Sequence, residues 1–226
     1  RLSTPTDAFE LHPDIRSYVT TLRPGPGGGI LGDVGPRGVV LVTTFDARTR
    51  MIAHQDVHVR DVERQAKHLD VTLIGVPLHG GGGAGSDYVA RLKLAVDVIE
   101  GKLGSAVDAL ACGDLHLEHI RKWREDAVGK ALVMKLAYPV WSDDARSNYD
   151  ALREDLDASG VRCVVTAVTT EAAEAAGAKV GARYDGDLAR AMKDAGVDAF
   201  GEDGEFHTLA EVWSVSRERA LGLKAS

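Results

Sequence analysis

The sequence predicts an α/β fold with a parallel sheet and a smaller C-terminal lobe, and three observations carry that prediction. Short apolar runs, "GVVLVTTFD" from Gly38, "VTLIGVPL" from Val71 and "VDALACGD" from Val107, read as strands buried on both faces. They alternate with longer segments of helical period, and that alternation implies parallel strands joined by right-handed crossovers. After about residue 136 the rhythm changes, which places an α/β domain over residues 1–136 and a smaller lobe over residues 137–226.

Taken in order, residues 1–37 are irregular, and "RPGPGGGILGDVGPRG" is rich enough in Gly and Pro to be a loop or linker. Gly27, Gly29 and Gly32 satisfy GxGxxG. A dinucleotide fingerprint must leave a strand and open a helix, however, whereas Pro36 and the strand at Gly38 follow almost at once. "DVHVRDVERQAKHLD" sets Val59, Val62, Ala66 and Leu69 at helical spacing, and "GSDYVARLKLAVDVIEGKL" does the same with Tyr88, Leu92, Ala95 and Ile99. In the C-terminal part, a turn in "AYPVWSDDARS" leads to a helix with Tyr149, Leu152 and Leu156 inward. The strand "VRCVVTAV", an Ala-rich stretch, the helix "DGDLARAMKDAG" and the loop "GEDGEFHTL" follow.

Composition narrows the class. Of the 226 residues 44% are apolar and 27% charged, values of an ordinary soluble globular chain, and no run approaches the roughly 20 apolar residues of a spanning helix. A formal charge of −7 argues against a broad nucleic-acid surface. Cys112 and Cys163, both in strand-like runs, read as reduced buried thiols of a cytoplasmic protein, and "RLSTPTDAFELHPD" contains no signal-peptide core. Trp123 and Trp141 are core or interface residues, and a homodimer is the expected assembly.

Ligands of parallel α/β sheets bind at the carboxyl ends of the strands. This directs attention to Thr43, Thr44 and Asp46, to Pro77 through Gly83, and to Gly113 and Asp114. If "GDLHLEHIRKWRE" is helical from Asp114, then Asp114, Glu118, Arg121 and Glu125 form one charged stripe that starts where a ligand would lie. Cys112, His116 and His119, or His54 and His58, have spacings compatible with a metal, but neither set has a second zinc-like pair, and no metal is expected. "GEDGEFHTL" is more informative, because a turn needs its glycines but not Glu202, Asp203, Glu205 and His207 together. Glu205 and His207, two apart, would point to one side of an extended segment.

The segments "LVTTFD", "DVERQAKHLDVTLIGVPL", "ACGDLHLEHIRKWRE", "YPVW" and "GVDAFGEDGEFHTL" resemble, in order and spacing, the diphthine–ammonia ligase family of the PP-loop ATP pyrophosphatase superfamily. The resemblance runs from about Gly38 to Thr208 and is most specific in the closing GE-x-GE-x-HT pattern. It implies a Rossmann-like nucleotide-binding domain of the adenine-nucleotide alpha-hydrolase type and a substrate-facing lobe. It also implies ATP with Mg2+ as cofactors, ammonia as amine donor, and a carboxylate acceptor such as a modified translation-factor side chain. No nucleic acid or membrane partner is implied.

On that resemblance Thr43, Thr44, Asp46, Gly113 and Asp114 would border the nucleotide. Glu118, Arg121, Glu125, Glu202 and Thr208 would face the acceptor substrate, and Glu205 or His207 would take the proton from attacking ammonium. The chain departs from the family in one place. The SGGxDS loop that cradles phosphates should stand some 20 residues before "TTFD", where this sequence has "LRPGPGGGILGDVG". His116 and His119 also replace the more usual apolar and acidic residues. An amide-forming ligase and a nucleotide-binding module without catalysis are the two expectations.

Overall fold

The computed structural model describes residues 39–79, 86–144 and 146–222. The glycine-rich stretch with Gly27, Gly29 and Gly32, the place of the phosphate loop, and Gly80–Gly83 lie outside the described residues. The chain divides into two compact units. Among the described residues, one holds those up to Ala53, those of His58–Cys112 and Glu118–Pro139; the other holds His54–Val57, Gly113–Leu117 and those from Val140 onward.

The first unit begins with β1, Val40–Asp46, paired in parallel with β2, Thr72–Leu78, so that Asp46 and Leu78 end level. Every residue of β2 is buried, as its unbroken apolar run requires. Between the two strands runs α1, Val59–Leu69, which packs Val59 and Ala66 inward. His58 caps it by accepting from the Arg60 N–H through Nδ1 at 3.0 Å, and Asp70 ends it in the left-handed region at φ 54°. Helix α2, Ser86–Leu103, buries the expected stripe, with Ala95 and Ile99 in one cluster with Ile74, Val76 and Leu78.

The sheet does not extend as the sequence suggests. β3, Ala109–Ala111, pairs in parallel with β4, Lys135–Ala137, but these two strands form a separate sheet from β1 and β2. The unit is therefore mixed α/β with small parallel sheets, and no continuous Rossmann-like sheet is formed among the described residues. Side-chain volume gives the reason: β3 is Ala-Leu-Ala, half-buried to exposed, with too little apolar surface to hold helices on both faces. Cys112, expected to be buried, lies just past β3 and is only partly covered.

The helix expected from Asp114 also starts later. α3 covers Glu118–Trp123, continues as a π-helical turn over Arg124–Gly129, and ends in α4, Lys130–Leu132. A stripe of Asp114, Glu118, Arg121 and Glu125 on one helical face does not exist, because Asp114 is in the other unit and the helical period changes at Arg124.

The second unit is an antiparallel sheet in the order β6-β5-β7, with β5 Arg162–Val168, β6 Arg183–Tyr184 and β7 Phe206–Glu211. Four helices belong to the same unit: α5 Tyr149–Ser159, α6 Glu171–Ala175, α7 Gly186–Asp194 and α8 Arg217–Ala220. Asp185 caps α7 through the N–H groups of Asp187 and Leu188. The core joins Cys163 and Val165 of β5 to Met192 of α7, Tyr184 of β6 and Phe206 of β7. Between Val165 and Ala167 the β5–β7 register slips, which sets Thr208 opposite Val165 and His207 opposite Ala167. Such a bulge re-aims neighbouring side chains and is common beside functional sites.

No helix among the described residues is long and apolar enough to cross a membrane.

Candidate functional site

The loop Gly201–Glu205 is built around a buried carboxylate. Asp198 follows the apolar Val197, and its side chain has no exposed surface. It accepts from Arg146 Nε at 2.7 Å, from the Tyr149 hydroxyl at 2.8 and 3.1 Å, and from the N–H groups of Phe200 and Glu202 at 2.9 and 3.1 Å. Burial alone would push its pKa up, but the Arg146 guanidinium, the Glu202 N–H and the Tyr149 hydroxyl outweigh that and hold it below the usual aspartate value. Asp198 is thus an ionised anchor. The Tyr149 phenol responds in the opposite sense: burial and the Asp198 charge push its pKa far up, so it stays protonated.

Two glutamates of the loop turn inward. Glu202 Oε2 accepts from the Leu115 N–H at 3.2 Å. Burial raises its pKa, the Leu115 N–H and His116 pull it back, and Asp114 and Asp198 add to the rise, leaving it raised. Glu205 Oε1 accepts from the Asp198 N–H at 3.0 Å, while Oε2 is buried with no hydrogen-bond partner among the described residues. Glu205 immediately precedes β7, and His207 is the second residue of that strand. His207 is on β7, and burial, with a contribution from His54, lowers its pKa and keeps the imidazole neutral at neutral pH. Thr208 is half-buried beside it.

The turn itself depends on Gly201. Its φ is +72°, and a Cβ there would lie 2.5 Å from the Phe206 carbonyl oxygen. Thr169 ties the turn down from the neighbouring strand end, accepting nothing from it but donating its hydroxyl to the Gly204 carbonyl and its N–H to the Glu205 carbonyl. The loop is therefore no solvated turn. It sets Glu202, pushed toward protonation, beside Asp198, kept ionised, the kind of splitting that acid–base chemistry uses.

The remaining expected site residues are distributed over both units. Thr43 and Thr44 are half-buried on β1 opposite Gly75 and Val76. Asp46 ends β1 and spends Oδ1 on its own turn, accepting from the N–H groups of Arg48 and Thr49 and from the Thr49 hydroxyl at 2.9 Å. Those bonds, the Thr49 N–H first, lower its pKa. Gly113 and Asp114 are in the second unit, where Asp114 acts on Glu202. Glu118 opens α3 and is exposed; Arg121 Nε pairs with Glu125 Oε1 at 3.0 Å at the surface, and its guanidinium lies 4.9 Å from the Tyr138 ring.

The metal-like spacings resolve into other roles. His54 precedes α1 rather than sharing a helical face with His58, which is occupied as a cap. Among the described residues no group of three or more His, Cys, Asp or Glu side chains is arranged to hold a metal ion.

Asp198 and Arg146 were not singled out by sequence reasoning, and Tyr149 was read as a core residue rather than a site residue. The signal was present in "GVDAF", where an aspartate interrupts a short apolar run, but its partners stand 49 and 52 residues away. None of the protein-family models matches this chain, and no curated protein sequence matches it.

Proposed function

We propose that the protein is an ATP-dependent carboxylate–amine ligase of the kind its sequence motifs resemble, the diphthine–ammonia ligases. ATP would adenylate a carboxylate, pyrophosphate would leave, and ammonia would displace AMP to form an amide. The logic is that a carboxylate becomes a useful electrophile only when one oxygen belongs to a good leaving group. Mg2+ would arrive with the nucleotide phosphates, as a hard cation that keeps phosphate and water ligands. On the resemblance, Thr43, Thr44 and Asp46 of the first unit would border the nucleotide, and in the second unit, taken by itself, Glu202, Glu205 and His207 would serve the acyl and amine groups.

The observation that carries this reading is the inward packing of Glu202 and Glu205 around ionised Asp198, with a neutral His207 following two residues after Glu205 on β7. An amide-forming site needs a proton acceptor and fixed dipoles where charge develops, and this loop supplies both. Release of AMP and pyrophosphate, measured with ammonium and a panel of carboxylates, tests it. His207→Ala should leave ATP affinity nearly unchanged while turnover falls by roughly 100-fold, the scale of lost general-base help.

The missing SGGxDS motif favours a second reading, a nucleotide-binding module without catalysis. Calorimetry separates the two: ATP·Mg2+ binding without AMP release favours the module, and a flat titration removes both.

A further inference from the structure

The second unit contains a chain of polar groups that runs from the loop's anchor, Asp198, through Tyr149 to His116. Asp198 is ionised and can only accept, so the Tyr149 hydroxyl at 2.8 Å must spend its single proton on it. What remains on the Tyr149 oxygen is a lone pair. His116 Nδ1 stands 3.4 Å from that oxygen, and the two rings meet edge to face with centroids 5.9 Å apart. A bond between two groups of which one can no longer donate assigns the proton to the other, so the neutral His116 ring carries its hydrogen on Nδ1.

We propose that Asp198, Tyr149 and His116 form a relay that fixes His116 in its Nδ1–H tautomer and leaves Nε2 as a proton acceptor. Tyr149 and Asp198 are positioning residues in this arrangement, and His116 is the group that acts. When Nε2 takes a proton, the ring becomes an imidazolium with both nitrogens protonated. His116 is half-buried. The proton source assigned to it, an amine attacking an acyl-adenylate, rests on the ligase reading; the relay does not. In that reaction ammonium gives up two protons: His207 takes the one that frees the attacking lone pair, and the second passes from the bound nitrogen to His116 Nε2 as the C–N bond forms and the acyl bond to the AMP phosphate oxygen breaks, after which the imidazolium returns it to water.

The test is the imidazole nitrogen spectrum of the whole 15N-labelled chain at pH 8, with His116 assigned by its loss in His116→Gln. The expected result is a protonated Nδ1 and an unprotonated Nε2, the reverse of the tautomer that free histidine prefers. Tyr149→Phe should return His116 to a tautomer mixture. An Nε2–H tautomer or a doubly protonated ring in the wild type overturns the proposal, even where Tyr149→Phe fails to fold. AMP release is read separately. An Nδ1–H ring in a protein that makes no AMP keeps the relay and removes the ligase reading, whereas full turnover in His116→Gln removes the catalytic role of Nε2.

Discussion

Asp198→Asn is the substitution that most directly tests how the site loop is held. Asparagine has the same shape, and an amide oxygen in the Oδ1 position keeps the N–H groups of Phe200 and Glu202, both of which bond Oδ1. At the Oδ2 position the new NH2 group meets Arg146 Nε and the Tyr149 hydroxyl, two donors that had bonded a charge. The buried Tyr149 hydroxyl would lose a charged acceptor, worth about 1.5–3 kcal/mol. The Arg146 side chain is 48% exposed and also bonds Asp203, so it can turn to water, and its loss is nearer ~1 kcal/mol. The sum is about 3 kcal/mol, and with a urea slope of roughly 1–3 kcal/mol/M the midpoint of the second unit should fall by about 1–3 M. Asp203→Asn, which touches only the exposed side of Arg146, should change stability by less than ~0.5 kcal/mol. The sign with pH is fixed as well: because the folded pKa lies below 3.8, the Asp198 contribution is present above that value and disappears as pH falls through the folded one. A loss under ~1 kcal/mol at neutral pH, or a difference that does not shrink as pH falls below 3.8, would refute the account of Asp198 as the anchor.

Glu202 should behave in the opposite way: its pKa is raised above 4.5, so its contribution is favourable only below that value and is lost as pH rises through the folded one. Glu202→Gln, whose amide oxygen can still accept from Leu115, should therefore match wild type below pH 4 and be the more stable above pH 7, read by thermal melts across pH. Gly201→Ala should cost about 2 kcal/mol or more, since a left-handed backbone and a 2.5 Å contact with a carbonyl oxygen act together, and urea unfolding measures it. In the first unit Val133, 91% exposed, ends α4 at φ 51°, a conformation costly for a β-branched side chain. Val133→Gly should raise stability by roughly 0.5–1 kcal/mol, and an unchanged or lowered urea midpoint would count against it.

Elements whose pattern is decided locally were legible in the sequence. β2 is an unbroken apolar run and is buried throughout, and the stripe of Leu92, Ala95 and Ile99 faces the core as its spacing requires. Tyr149 was correctly read as inward, but its polar end was not, because periodicity reports which face is buried and says nothing of what a hydroxyl will meet there. The continuity of the sheet was not legible either. A strand such as Ala-Leu-Ala has the right residue types but too little volume, and neighbour pairing is decided by packing rather than by the run itself. For the site, "GEDGEFHTL" stood out by composition, whereas Asp198 and Arg146 are unremarkable residues until the fold brings them together.

The bond from the Leu115 N–H to Glu202 spans 87 residues of chain, and Ser142 N–H reaches back to the Leu115 carbonyl as well. Both groups of this one peptide neighbourhood are thus supplied to the second unit from the middle of the sequence of the first. A ribosome that has released everything up to Val140 has made the donor long before its acceptor exists, and closing so wide a loop is entropically slow. A C-terminal fragment beginning at Val140 would lack both His54–Val57 and the donor to Glu202, and a short peptide carrying Gly113–Leu117, added in trans, would restore that donor.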